Sequence, residues 1–205
     1  MMTSPALKGP EDPILDSDGE TAGTLLNFWS WAYSDPLDNA ARGVFAEYLV
    51  ALATGSTGES RKDWAAYDLT TPAGIALEVK SSAYVQTWPQ KKPSEIRFST
   101  YEAQGWDPLT NEYSSTPARS ADIYVFCVLN HLDRNTVNPL DTRQWDFYVT
   151  TSKRLNETIG RQKSIGLNPL LTRVQPVKTT FSELDDAIAE AAASLPARRE
   201  TRILE

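Results

Sequence analysis

Apolar and polar positions along the first third of the chain follow the period of an α-helix. The segment 34–55, SDPLDNAARGVFAEYLVALATG, places apolar residues at the i, i+3, i+4, i+7 spacing of a buried helix face. Asp35 is predicted to be its N-cap, Pro36 its first helical residue and Gly55 its end. A shorter aromatic helix is predicted over residues 22–33.

The following segments change to the period of β-strands, with alternating or continuous apolar residues between turn signals. The run ADIYVFCVL is continuously apolar, as expected for a central strand buried on both faces. Residues 130–144 are predicted to be a loop, and TFSELDDAIAEAAASL is predicted to be a helix with a capping box from Ser182 to Asp185. Strands are predicted at 64–70, 75–82, 95–100, 121–129 and 145–151. The order of helix, hairpin, strands and helix predicts an α/β (α+β) fold with a mixed sheet flanked by helices.

Composition refines this picture without changing the class. The 205 residues are 40% apolar and 23% charged, as in an ordinary globular protein. Residues 1–20 are rich in Pro, Asp, Gly and Ser and are predicted to be a disordered acidic tail, and residues 21–205 a single domain. Cys127 has no second cysteine to pair with, no secretory signal is present, and the apolar runs are too short to span a bilayer. We therefore expect a cytoplasmic protein that is not embedded in a membrane.

The net charge of −7 at first argues against a nucleic-acid partner, but the charge is unevenly distributed. Residues 1–41 carry seven acidic side chains and one basic side chain, and residues 142–180 carry seven basic and two acidic ones. The basic segment leaves room for a local polyanion site. The ordinary alternative is solvated charge on surface helices and loops.

The candidate chemistry lies in the hairpin YDLTTPAGIALEVKSS, residues 67–82. Because residues two apart in a strand share a face, Glu78 and Lys80 are neighbours on the face opposite Leu77. A turn centred on Ala73 would place Asp68 directly opposite Glu78. Two opposed carboxylates reduce stability, and a divalent cation held by their oxygens is the simplest group to offset that cost.

Three further residues are weighed as members of this site. Glu47 lies in a lane of small residues at the edge of the buried helix face, which would let its carboxylate project towards the sheet. Ser82 shares the face of Glu78 and Lys80, and Gln86 would share it if the strand continues, so both are candidates for substrate binding. Each signal has an ordinary alternative: a salt-bridged strand face for Glu-x-Lys, a turn former for Asp68, a solvated helix residue for Glu47 and a surface amide for Gln86.

Glu47 on a helix, then Asp68, then Glu78-Val79-Lys80 after a turn, resembles the core of the PD-(D/E)xK nucleases, the restriction-endonuclease-like superfamily. The segments NAARGVFAEYLVA, WAAYDL and EVKSSAYVQTW resemble the sequences of a bacterial group within this superfamily. The resemblance covers roughly residues 38–152. Tyr67 replaces the proline of the motif. The resemblance implies a restriction-endonuclease-like fold, Asp68 and Glu78 as metal ligands and catalytic groups, Lys80 as the catalytic lysine, and Glu47 as a further metal ligand.

The resemblance further implies Mg²⁺ as cofactor, with Mn²⁺ as a substitute, and DNA as partner. The expected function is a Mg²⁺-dependent, restriction-like DNA endonuclease that hydrolyses phosphodiester bonds. A homodimer is expected, because two such sites are needed to cut both strands of a duplex. The alternatives are a nucleic-acid-binding module of the same fold without turnover and a protein-interaction module. The single histidine, His131, comes without a G-x-S-x-G motif, so a Ser-His-Asp hydrolase is not indicated.

Overall fold

A computed structural model describes residues 6–61, 65–107 and 112–195 of the chain. The first half of these residues contains two helices and seven short strands: β1 (Pro13–Leu15), β2 (Thr21–Thr24), α1 (Leu25–Tyr33), α2 (Asn39–Ala53), β3 (Leu69–Thr70), β4 (Ala76–Ala83), β5 (Arg97–Ser99), β6 (Trp106–Asp107) and β7 (Glu112–Tyr113). The second half contains β8 (Ile123–Leu129), a 3₁₀ turn (Thr142–Gln144), β9 (Trp145–Thr151), α3 (Ser152–Ile159), β10 (Ser164–Gly166), α4 (Leu167–Pro169) with a π-helical turn (Leu170–Val174), β11 (Val177–Thr179), a 3₁₀ turn (Phe181–Glu183) and α5 (Leu184–Ala193).

The main sheet of the described residues has five strands in the order β11, β9, β8, β4, β3. The β4–β8 pair is parallel, and the other neighbours are antiparallel. All seven residues of β8 are buried, which confirms the predicted central strand. The mixed sheet with flanking helices confirms the predicted α+β class. None of the described helices is long and apolar enough to cross a membrane.

Each face of the sheet has its own apolar cluster, and these clusters fix the direction in which β4 points its side chains. Leu77 and Val79 pack with α2 and α5 on one face. Tyr124 and Phe126 of β8 pack with α3 and the β5–β10 pair on the other. Burying one large apolar side chain stabilises the fold by about 1.5–3 kcal/mol. A one-residue slip would exchange the faces of β4, so its even-numbered residues are held on the Tyr124 face.

Helix α2 begins later than the sequence predicts. Its N-cap is Asp38, whose Oδ1 accepts hydrogen bonds from the backbone N–H groups of Ala40 and Ala41. Asp35 instead accepts from Leu37 N and closes a turn before the helix. The end agrees with the prediction, since Gly55 adopts a φ of +67° two residues after the last helical residue.

The described part of the N-terminal segment contains local structure. Strands β1 and β2 form an antiparallel hairpin at residues 13–24. Asp16 orders its turn, because one carboxylate oxygen accepts from the N–H groups of both Asp18 and Glu20. The division into a tail and a domain from residue 21 stays a prediction, and residues 1–5 lie outside the described part.

Helix α5 is present where predicted, but the predicted capping box is wrong, because neither the helix nor the 3₁₀ turn before it has a side-chain cap hydrogen bond. Ser182 lies inside a 3₁₀ turn that precedes the helix, so it does not occupy the N-cap position. The hydroxyl of Thr180 donates to Glu183 Oε2 at 3.0 Å. The side-chain pair at this end is therefore Thr180 and Glu183, in place of Ser182 and Asp185.

Candidate functional site

Asp68 is held against β4 at the open edge of the sheet. The register pairs Leu69 with Leu77, and one further step puts Asp68 opposite Glu78, as the turn centred on Ala73 predicts. Asp68 N donates to Leu77 O at 3.0 Å, and Val79 N donates to Asp68 Oδ2 at 2.7 Å. The carboxylate thus takes the place of a backbone acceptor in the ladder, and its position is set by β4 itself.

Glu78 and Lys80 share the face of β4 that lies beside Tyr124 and Phe126 of β8. The Lys80 ammonium donates to Glu78 Oε1 at 2.5 Å. Their side chains are only 19% and 27% exposed, so the pair is largely removed from solvent. The predicted shared face is therefore present, and its two charges neutralise each other in the free protein.

Glu47 approaches the same edge from α2. Its side chain is 12% exposed and accepts two hydrogen bonds from Arg61, at 2.5 Å from Nε and 3.0 Å from Nη2. Arg61 lies in the glycine-containing segment after α2, which the sequence pattern marks only as a loop. A two-point guanidinium–carboxylate pair has a fixed planar geometry, so Arg61 orients Glu47.

The charged groups of this site change one another's pKa. Asp68 acts on Glu47, Glu78 and Lys80, and these three also act among themselves. Burial raises the pKa of Glu78, and the carboxylates of Asp68 and Glu47 raise it further while Lys80 opposes the rise. Burial likewise raises the pKa of Glu47, against the hydrogen bond from Arg61. Burial on its own would lower the pKa of Lys80, but Glu78 and Asp68 outweigh it and the pKa is raised. Lys80 therefore stays an ammonium ion at neutral pH.

These shifts predict how stability changes with pH. We expect Glu47→Gln to raise the melting temperature of the metal-free protein more at pH 7 than at pH 4. The pKa of folded Glu47 lies above its ordinary value of 4.5. From about pH 4.5 up to the folded pKa, the native state binds more protons than the unfolded chain, so rising pH destabilises the wild type. Glutamine does not ionise, so the stability of the variant lacks this dependence on pH.

The measurement is a set of thermal melts of both proteins in EDTA at the two pH values. The glutamine oxygen can replace only one of the two acceptors that face Arg61, and this loss is the same at both pH values. The change in the melting-temperature difference between pH 4 and pH 7 therefore reports the ionisation of Glu47. A difference in melting temperature that is the same at pH 4 and pH 7 would contradict the assigned electrostatic coupling.

The donor types of the site fit a hard divalent cation, because all three acidic groups supply carboxylate oxygens. In the free protein, however, each carboxylate has a protein partner: Val79 N for Asp68, Lys80 for Glu78 and Arg61 for Glu47. Among the residues that the structure describes, no three or more His, Cys, Asp or Glu side chains are already arranged to hold a metal ion. Binding an ion would therefore require Glu78 and Glu47 to exchange partners.

A cavity of about 790 Å³ opens beside the site. Its walls come from α2, the 56–61 loop and the 67–72 turn, and they include Glu47, Arg61 and Asp68. The carboxylates of Glu47 and Asp68 are therefore accessible to a bound molecule from this side, whereas Glu78 and Lys80 do not line the cavity.

The two weaker candidates occupy different places. Ser82 is buried on the face of Glu78 and Lys80, and its Oγ accepts from Arg97 N at 3.4 Å. Gln86 lies beyond the end of β4 at Ala83, so strand parity no longer applies to it. Its side chain accepts from Arg42 at 3.1 Å and donates to Ala83 O at 2.8 Å, which gives it a structural role apart from the acidic site.

The sequence pattern missed two tyrosines near the site. Tyr124 pairs with Glu78 across the parallel β4–β8 ladder and is 4% exposed. Burial, and next the Glu78 charge, raise its pKa. Tyr101 is exposed and close enough to interact electrostatically with Lys80 and Tyr124. The available signal was Tyr124 itself, a hydroxyl within a continuously apolar strand.

The site lies within the part of the chain that matches a known family. The family model described as bacteriophage T4 endonuclease IV matches residues 20–168. No curated protein matches the chain significantly. The matched range contains α1, α2, the Asp68 hairpin and the central strands β8 and β9. Since it covers well over half of the 205 residues, the chain belongs to the bacteriophage T4 endonuclease IV family, a family of nucleases.

Proposed function

We propose that the chain is a DNA endonuclease of the PD-(D/E)xK type that hydrolyses phosphodiester bonds and depends on Mg²⁺, with Mn²⁺ as a substitute. One observation carries the proposal. The strand register brings Asp68 opposite Glu78 and puts Lys80 next to Glu78 on the same face, in a chain that belongs to a nuclease family. The proposed cleavage is restriction-like, with the DNA sequence recognised by loops around the site.

Asp68 and Glu78 would hold the ion, and Glu47 would complete its oxygen ligands. A bound Mg²⁺ supplies charge neutralisation at the phosphate and a hydroxide near neutral pH. The Lys80 ammonium, which donates to Glu78 in the free protein, would donate to the scissile phosphate and stabilise the charge that develops on it. Arg61, which donates to both carboxylate oxygens of Glu47 in the free protein, would have to release at least one of them to the ion.

DNA is the proposed substrate because the family is one of endonucleases and because residues 142–180 carry an excess of five positive charges. The protein as a whole is acidic, so binding should depend on this local region and weaken steeply with salt. A titration of labelled DNA at two salt concentrations measures that dependence. Equal affinity at both concentrations would contradict a phosphate-binding surface.

The second candidate is a catalytically silent DNA-binding or protein-interaction module of the same fold. The observation that favours it is the mutual neutralisation of Lys80 and Glu78, with no assembled metal site among the residues that the structure describes. Incubation of plasmid with the protein and Mg²⁺ or Mn²⁺ separates the two candidates. The nuclease cuts only with metal, whereas the module binds DNA, or a protein, without cutting.

We further propose that the protein acts as a C2 homodimer, because one site of this kind cuts one strand of a duplex. Light scattering should give twice the monomer mass of 22.8 kDa for the protein, plus the mass of the duplex when DNA is bound. A monomer mass with and without DNA would contradict the dimer.

A further inference from the structure

Tyr124 has a buried ring whose hydroxyl has no hydrogen-bond partner among the described residues. Buried tyrosine hydroxyls usually find such a partner. Tyr148 shows the ordinary case, because it is equally buried and its hydroxyl donates to Asp146 Oδ2 at 3.4 Å. In the described part of the chain, the side-chain atoms that are fully buried and lack a hydrogen-bond partner are Arg42 Nε and Ser81 Oγ. The Tyr124 hydroxyl is not among them, so it reaches solvent at the tip of a buried ring.

The position of this hydroxyl is set by the sheet. Tyr124 and Glu78 are direct partners in the parallel β4–β8 register, and adjacent strands lie about 4.8 Å apart. The ring packs against Phe126, with centroids 5.9 Å apart, on the face that also carries Lys80. Glu78, Asp68 and Tyr101 all lie within electrostatic range of the phenol. Tyr124 is therefore a rigid neutral donor beside the acidic site.

We propose that the Tyr124 hydroxyl donates a hydrogen bond to a phosphate oxygen of DNA bound at the Glu78–Lys80 site. This inference rests on the proposed nuclease function. The neighbouring carboxylates are acceptors and repel a phosphate, whereas a phenol can donate to it without adding charge. A hydrogen bond from a hydroxyl to an anionic oxygen is roughly twice as strong as one between neutral groups. A phosphate thus supplies the partner that the described part of the protein does not.

The test compares Tyr124→Phe with Tyr148→Phe as the matched control. Both changes remove one hydroxyl from a buried ring on the same face of the sheet. We expect Tyr124→Phe to lower the rate of cleavage at saturating DNA by at least ~10-fold, because the lost donor faces charge that develops in the transition state. Its DNA affinity should change by less than about 3-fold, because many phosphate contacts share the binding energy. Tyr148→Phe should cleave at the wild-type rate.

A second measurement does not depend on cleavage. Protein labelled with ¹³C at tyrosine Cζ, in the Lys80→Ala background with Mg²⁺, is titrated with a DNA duplex. The Tyr124 signal, assigned by its loss in Tyr124→Phe, should shift, and the Tyr148 signal should not. A Tyr124 signal that stays fixed while DNA binds overturns the inference.

The outcomes distinguish this inference from the proposed function. If the wild type cleaves and Tyr124→Phe cleaves equally well, or Tyr148→Phe loses as much activity, the role of Tyr124 is wrong and the nuclease stands. If the wild type does not cleave, the proposed function fails, and the Cζ shift alone decides whether Tyr124 contacts phosphate.

Discussion

Lys80→Ala should abolish DNA cleavage, with a fall of about 10²–10³-fold or more, while the protein stays folded and still gains stability from Mg²⁺. Lys80 is the one ammonium that the strand register places beside Glu78, and it is held there with its side chain mostly buried. Removing it takes away the positive charge that would stabilise the scissile phosphate. It leaves the carboxylates of Asp68, Glu78 and Glu47 in place, so the oxygen ligands remain.

Lys178→Ala is the matched control for this change. Lys178 pairs with Asp146 at 2.9 Å on β11, at the opposite edge of the sheet. This change also removes a lysine from a carboxylate pair, but away from the proposed catalytic site. Because Lys178 belongs to the basic segment 142–180, its loss should weaken DNA affinity, while cleavage at saturating DNA should continue at the wild-type rate. Cleavage by Lys80→Ala at the rate of wild type would show that the lysine is assigned wrongly.

Asp68→Asn should melt slightly higher than wild type in EDTA, gain much less from Mg²⁺, and fail to cut DNA. Neutralising Asp68 removes one of the carboxylate charges that raise the pKa of Glu78 and Glu47. The asparagine oxygen can still accept the hydrogen bond from Val79 N, so the ladder is preserved. Cross-strand pairs contribute roughly 0.2–1 kcal/mol. A change of 1 kcal/mol shifts the melting temperature of a domain of this size by about 2–4 °C.

The measurement is a pair of thermal melts, with EDTA and with Mg²⁺, for wild type and variant. Mg²⁺ that binds only the folded site raises the wild-type melting temperature by mass action. Asp146→Asn, on β9 beside the opposite edge strand β11, should keep the full response to Mg²⁺. If Mg²⁺ does not change the melting temperature of the wild type, and Asp68→Asn is destabilised, then Asp68 only orders the hairpin.

The sheet and the geometry of its hairpin could be predicted because they follow from local periodicity. Alternation with period two fixes which residues of β4 share a face, and a turn centred on Ala73 fixes the Asp68–Glu78 pairing. The same logic failed for Gln86, because parity holds only as far as the strand, and β4 ends at Ala83. The start of α2 was missed because Asp35 and Asp38 are both good caps, and only the preceding turn selects Asp38.

The partners of the charged groups could not be predicted, because they come from distant parts of the chain. Arg61 reaches Glu47 from a loop that has no regular pattern. Tyr124 meets Glu78 through a parallel pairing between residues 46 positions apart, and no local rule specifies which strand lies beside β4. The periodicity of the sequence thus indicates the charged core of the site, and the tertiary fold supplies the groups that hold and complete it.

The most direct test of the central claim is a time course of supercoiled plasmid with wild type, Lys80→Ala and Asp68→Asn, purified identically and assayed with Mg²⁺, with Mn²⁺ and with EDTA. The identical purification controls for nucleases of the expression host. The proposed metal-dependent nuclease predicts nicked or linear plasmid from wild type with either metal, none in EDTA, and none from the two variants. Intact plasmid from wild type with both metals, or equal cutting by all three proteins, would contradict it.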